Sequence, residues 1–254
     1  MDKNQYHLGL VSASFRGHTP REILIAMKEA GLEYIEWGSD IHAPQYDKQR
    51  LVEIASLQDH YKIKCSSYGT YFRLGETDID ALEEYINAAK ILGTDILRLW
   101  CGSSSNKKMT DAQKTRLIDD CKRAASIAEG NGVVLCMECH KDTFTEDPYD
   151  AVSLMKELNS PNFRMYWQPF QWINESENLK IAEMISPYTI NLHVFNWKGS
   201  IRLPLDNAIE SWRTYLCKFP APRTLLLEFM PDDKLETLKT EADALREIVK
   251  GEAI

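Results

Sequence analysis

The sequence contains no apolar run approaching the roughly 18 residues that a bilayer-spanning helix requires, so no membrane role is expected. Its first residues, Met1-Asp2-Lys3-Asn4-Gln5-Tyr6-His7, are polar and lack the apolar centre of an export signal, which leads to the expectation of a cytoplasmic location. Runs of basic residues are absent too, Lys107-Lys108 being only a pair, and the net charge is −8; such a surface repels phosphate backbones and argues against general nucleic-acid binding. Neither G-x-G-x-x-G nor G-x-x-x-x-G-K occurs, which removes the phosphate cradles of open nucleotide-binding sheets. Disulfides are not expected in a reducing compartment. One stretch, Cys136-Met137-Glu138-Cys139-His140, spells a haem-attachment pattern. That chemistry requires export, and these residues continue an apolar strand. A redox dithiol is equally excluded, because such pairs open a helix; the six cysteines read as small apolar filler.

The 254 residues are 44% hydrophobic and 27% charged, an ordinary balance for a globular protein able to bury its core without covalent staples. Strand-like and helix-like segments alternate throughout. Strands are expected at 8–15, 32–37, 63–68, 96–100, 133–138, 163–167, 188–194 and 224–229. The helices between and after them are expected at 20–30, 47–61, 78–92, 110–129, 148–158, 178–185, 206–217 and 234–249. Thr19-Pro20-Arg21-Glu22 has the composition of a helix start, and Gly31, Gly93 and Gly132 stand where helices stop. The segments Gly31-Leu32-Glu33-Tyr34-Ile35-Glu36-Trp37, Gly93 to Trp100 and Gly132 to Glu138 echo one another: a helix-ending glycine, a short apolar strand, then a polar residue. Eight βα units in this length predict a (β/α)₈ TIM barrel, one domain over residues 1–254. The longest irregular stretches, 67–77, 102–109, 140–147 and 196–205, follow strands, where such a barrel builds its active site.

Polar residues at strand C-terminal ends of a barrel face that site. Here they are Glu138, Gln168, His193 and Glu228. A carboxylate closing an apolar strand is costly unless it is paired or binds a cation. Two such glutamates with a histidine and an amide oxygen suit one divalent metal, Mn²⁺, Co²⁺, Zn²⁺ or Mg²⁺. Trp37, Trp100, Trp167 and Trp197 lie at or just beyond strand ends, giving an expected stacking wall for a sugar ring. Tyr68, Tyr71, Arg98, Asn196 and Lys198 are candidates for contacts to hydroxyls or a charged tail, and Lys198 and Arg202 for docking an anion.

In its succession of Glu138, Gln168, His193 and Glu228, spaced 30, 25 and 35 residues apart, the chain resembles the xylose isomerase-like TIM barrel superfamily of sugar phosphate isomerases and epimerases. The resemblance covers essentially the whole chain and is nearest to the D-tagatose 3-epimerase branch, in which glutamate, aspartate, histidine and glutamate from strands five to eight hold one metal. It implies that Glu138, Gln168, His193 and Glu228 are metal ligands here, and that His42 and His140 are family features at the substrate. Gln168 replaces the family's aspartate, lowering the ligand charge from −3 to −2, and Gln171 stands where epimerases place a histidine. The implied substrate is a small sugar, the implied role carbohydrate metabolism, and a homodimer is among the implied states. The expected mechanism chelates a carbonyl and a neighbouring hydroxyl on the metal, with Glu138 and Glu228 moving a proton as general base and acid. The same constellation serves sugar isomerases, epimerases and dehydratases or lyases, and a non-catalytic sugar-binding barrel is a further alternative. A nuclease on the related endonuclease IV pattern is disfavoured, since six histidines, three of them badly placed, do not supply a cluster of about three metals.

Overall fold

In the computed structural model of the protein, which describes residues 6–250, eight parallel strands close on one another with helices outside. The polar segment 1–5, on which the expectation of no export signal partly rests, lies outside the described residues. In chain order the elements are β1 (His7–Val11), α1 (Pro20–Ala30), β2 (Tyr34–Gly38), α2 (Lys48–Tyr61), β3 (Lys64–Leu74), α3 (Leu82–Leu92), β4 (Ile96–Cys101) and α4 (Asp111–Asn131). There follow β5 (Val134–Met137), α5 (Pro148–Leu158), β6 (Phe163–Trp167), α6 (Glu175–Ile185), β7 (Thr189–Val194), the small strands β8 (Trp197–Lys198) and β9 (Ile201–Arg202), α7 (Ile209–Leu216), β10 (Thr224–Leu227) and α8 (Leu238–Lys250). The barrel order is β1-β10-β7-β6-β5-β4-β3-β2, closed by parallel pairing of His7–Leu10 with Thr224–Leu227. No helix among the described residues is long and apolar enough to cross a membrane.

Local chemistry sets the helix limits. Thr19 with Glu22, Thr110 with Gln113 and Asn174 with Glu177 form reciprocal capping boxes that satisfy the first free N–H groups of α1, α4 and α6. Gly31 and Gly132 end α1 and α4 at φ 67°, a left-handed conformation that glycine adopts without steric penalty. Each helix turns an apolar stripe to the barrel; α8 buries Leu238, Ala242, Leu245 and Ile248 along one face.

Two expectations are corrected. The stretch 67–77 is mostly not loop, because β3 runs on to Leu74. Residues 65–70 of β3 are all buried, and beyond them Thr70, Phe72 and Leu74 are buried in alternation with the exposed Tyr71 and half-buried Arg73, the period of two that sustains a strand. Residues 196–205 contain the antiparallel hairpin β8–β9, turned at Gly199 (φ 60°), with Trp197 opposite Arg202. Three helices also start later than expected: 79–81, 205–208 and 235–237 are 3₁₀ turns leading into α3, α7 and α8.

The interior of the barrel holds its own small apolar cluster of Val11, Ala13, Cys136, Tyr166 and Leu226, separate from the larger core between strands and helices. Above it the lumen becomes polar, and that polar layer is the site.

Candidate functional site

Side chains of neighbouring strand residues point to opposite faces, so each barrel strand sends alternate residues inward. On β2 the inward residue is Glu36, with no solvent exposure. On β4 it is Arg98, 7% exposed, and just past β5 it is Glu138, 5% exposed. The Arg98 guanidinium bridges the two carboxylates: Nε donates to Glu36 Oε1 at 2.9 Å and Nη1 to Glu138 Oε2 at 2.7 Å. The other oxygen of Glu36 accepts Ser67 Oγ from β3 at 2.9 Å. Gly69, two residues along β3, leaves the space the pair fills: a Cβ there would lie 2.8 Å from both Arg98 Nη2 and Glu36 Oε1.

The second half of the layer lies around His193 on β7, 1% exposed. Its Nδ1 is 3.3 Å from Gln168 Oε1 and 3.5 Å from Glu228 Oε2; its Nε2 is 3.7 Å from Glu36 Oε1 and has no hydrogen-bond partner. Tyr166 packs edge-on against the imidazole at 5.1 Å. Glu228 follows β10, its N–H donating to the Val194 carbonyl at 3.0 Å. Its side chain is 13% exposed, against 0% for Glu36 and 6% for Glu138, so it is the carboxyl of the three that opens most toward solvent. The next residue, Phe229, has φ 54°, an uncommon conformation for a bulky side chain, and its N–H is held by Ser14 Oγ at 2.8 Å.

The charges divide by neighbourhood. Burial alone would raise the Glu36 and Glu138 carboxyls, but the adjoining Arg98 guanidinium, with His193, outweighs it and holds both below the usual range. Burial works against the charge on Arg98 as well, and Glu36 and Glu138 overcome it. Glu228 is pushed up, by burial first and by the other two carboxylates, against the pull of His193 and Arg98. His193 is raised although burial opposes it, chiefly by Glu228 and Glu36. The result is one fixed ion-pair triad and, beside it, a carboxyl–imidazole pair.

The structure brings Glu138, Gln168, His193 and Glu228 to one end of the lumen. Glu36 was not anticipated there, and Arg98 was expected only as a contact to hydroxyls or a tail. A signal existed: Glu36 and Arg98 both stand five residues after a helix-ending glycine, Gly31 and Gly93. The stacking wall is corrected to two tryptophans. Trp37 is fully buried and donates to Gln58 Oε1 of α2 at 2.6 Å; Trp167 packs on Trp212, Tyr215 and Phe219 of the helical layer. Both point outward because Glu36 and Tyr166, their chain neighbours, point inward. Tyr68 likewise turns outward and donates to the Ala43 carbonyl at 2.6 Å. His42 is spent on structure: Nε2–H donates to the His18 carbonyl at 3.1 Å and Nδ1 takes Ser12 Oγ at 3.2 Å. With two partners and a pKa held down to about 4, first by burial, it stays neutral and positions loops. Trp37, Tyr68 and His42 therefore do not reach a substrate.

At the mouth, Trp100 stacks on His140 at 4.7 Å with Arg73 4.2 Å from its ring, and Arg202 of the hairpin lies over Trp197 and Phe229 at 5.2 and 4.9 Å. Gln171 meets the hairpin through its carbonyl, which accepts the Gly199 N–H at 3.1 Å, and Lys198 is exposed. At Phe229, on the rim, opens a cleft of about 420 Å³ lined also by Ser14, Arg16 and Arg202 among others. That volume suits a small molecule.

An eight-stranded parallel barrel with acid–base groups at one mouth defines a class of enzyme scaffold. Residues 24–201 match the model of the xylose isomerase-like TIM barrel family, and the chain belongs to that family. No curated protein matches its sequence. Among solved structures, a probable 3-DHS dehydratase of Bacillus anthracis is 17% identical with a TM-score of 0.75, over 95% of this chain and 99% of that one. A xylose isomerase-like barrel of Mycobacterium smegmatis in complex with magnesium is 13% identical, TM-score 0.73, over 100% of both chains. D-psicose 3-epimerase of Clostridium cellulolyticum, in complex with D-tagatose, is 13% identical, TM-score 0.70, over 96% and 98%. At such identities the likeness establishes the fold.

The family implies a divalent metal, and the residues here do not fit one. Among the described residues no group of three or more His, Cys, Asp and Glu stands in metal-holding geometry. The strand-six donor is the neutral Gln168, and Glu138 is bonded to a guanidinium. A dication would find Glu228 as the single lumen carboxylate not bonded to Arg98, with that buried like charge nearby.

Proposed function

We propose that the barrel mouth carries out proton transfer beside the carbonyl of a small, polyhydroxylated, sugar-like substrate, as an isomerase. The observation that carries this reading is the Glu228–His193 contact at 3.5 Å, with Glu228 the most open of the three carboxyls in the lumen. Glu228 removes the proton from the carbon next to the carbonyl. The C–H electron pair becomes the double bond of an enediolate, and negative charge passes to the former carbonyl oxygen. Glu228 returns the proton to the former carbonyl carbon, while the hydroxyl proton moves to the new alcohol oxygen. His193 orients Glu228 and holds a proton in transit. Glu138, anchored on Arg98, is a charge partner in this scheme rather than a second proton shuttle. One open carboxyl favours transfer along one face, hence aldose–ketose isomerisation over epimerisation, which needs a group on each face. Trp100 and Trp197 supply apolar surface for the substrate's ring or chain.

A dehydratase reading draws support from the similarity to the Bacillus anthracis structure: the same Glu228 removes the proton, and a β-hydroxyl then leaves as water. Product analysis separates the two. In deuterated water, the protein with a panel of aldoses and ketoses is expected to place deuterium on the carbon beside the carbonyl. Glu228→Gln should reduce that exchange by about 10²–10⁴-fold while leaving the fold intact. Exchange undiminished in Glu228→Gln would refute the assignment.

A further inference from the structure

We infer that Arg98 is the resident cation of this barrel, standing in for the divalent metal, so that the site assembles without one. Three observations carry this. The guanidinium already holds the strand-five carboxylate, Glu138, through Oε2 at 2.7 Å. It is a built position: Glu36 and Ser67 continue the network on the far side, and Gly69 leaves room that any side chain would take away. The strand-six donor, Gln168, carries no charge. Glu36 and Glu138 are both paired with Arg98, and the third carboxyl, Glu228, contacts His193 at 3.5 Å. Arg98 thus supplies positive charge from the chain itself, and a dication would meet that buried guanidinium with a single carboxyl not bonded to it. An arginine keeps its charge at every physiological pH and presents a planar set of donors, two of its five being spent on Glu36 and Glu138. This pairing holds whichever reaction the mouth performs.

The test reads metal directly and needs no substrate, so its outcome is independent of the exchange assay. The full-length protein is produced in medium supplemented with Mn²⁺, Co²⁺, Zn²⁺ and Mg²⁺, desalted, and its metal content measured per chain. Its thermal midpoint is followed with EDTA and with millimolar Mn²⁺. Expected are metal far below one equivalent and a midpoint indifferent to both additions. Nearly one equivalent, removed by EDTA with a fall in the midpoint, would overturn the inference. A double variant, Arg98→Met with Gln168→Asp, frees Glu138 and restores the strand-six charge. It is expected to take up close to one Mn²⁺, seen by elemental analysis and by the spin resonance of the bound ion. A folded double variant that takes up none would also overturn it. Should that variant not fold, Gln168→Asp alone decides. With Arg98 in place it is expected to stay metal-free, and stoichiometric Mn²⁺ in it would show that Arg98 is not what keeps metal out.

Discussion

Arg98 sits in the lumen because three strands make room for it together. A buried guanidinium is tolerated when its donors are matched, and here two carboxylates, one on β2 and one just past β5, match them within 2.9 Å. Gly69 is as much a part of that arrangement as the charges. Replacing it with alanine puts a methyl group 2.8 Å from both Nη2 of Arg98 and Oε1 of Glu36. Gly69→Ala is therefore expected to lower stability by about 1–3 kcal/mol, measured by urea unfolding; an unchanged midpoint would mean the ion pair can simply step aside. At this scale the sequence was informative where a polar residue closes a strand. Glu138, Gln168, His193 and Glu228 are legible because an apolar run ends on each. Glu36 and Arg98 stand two and three residues inside their strands, where a charge reads equally well as a solvated position. Trp37 and Trp167 misled for a related reason. Proximity to a strand end says nothing about face, and only the parity of residues along the strand sends Glu36 in and Trp37 out.

The elements themselves were largely visible, because several helices carry their own start and stop. The capping boxes at Thr19 and Thr110 sit where α1 and α4 begin; the one at Asn174 went unread, and α6, expected from 178, begins at Glu175. What escaped was the polar half of β3 and the hairpin β8–β9. Thr70, Tyr71 and Arg73 do not look like a strand until their alternation is counted, and two-residue strands have no period to read. The segment after that hairpin is held from α8: both oxygens of the buried Glu241 accept the Leu205 N–H, at 3.3 and 3.1 Å. Burial first, then the carboxylates of Asp206 and Asp232, push Glu241 up to about 7 from an ordinary value near 4.5, against the pull of the Leu205 N–H. A carboxyl raised on folding binds its proton more tightly in the folded than in the unfolded chain. Its stabilising contribution is complete below about pH 4.5 and fades as pH rises through 7. Glu241→Gln keeps an accepting oxygen and removes that dependence. Relative to the unchanged protein, the variant is expected to gain on the order of 2–3 kcal/mol between pH 5 and pH 8.5, read from denaturant midpoints; parallel pH profiles would exclude this.

For the molecule as a whole, the decisive contact is the last one made. His7–Leu10 of β1 pair with Thr224–Leu227 of β10, so the first and last strands of the chain share a seam and the sheet has no free edge. A chain ending at residue 223 keeps seven barrel strands but exposes β1 and β7 along their length. It is expected to aggregate or to melt without a cooperative transition, as judged by solubility and circular dichroism; a soluble, sharply melting fragment would show that closure is dispensable. That eight βα units close into a barrel was legible from their number and strict order. Which side chains meet inside it was not, because the lumen joins residues as distant in sequence as Glu36 and Glu228.

The distribution of sulfur has a practical corollary. Cys65, Cys101, Cys121, Cys136 and Cys139 are buried, and Cys217, just beyond α7, is exposed. Helices of such a barrel run back toward the end opposite its catalytic mouth. A maleimide tether would therefore find one address, at the floor of the molecule, and an immobilised layer would present every lumen upward to the passing solution.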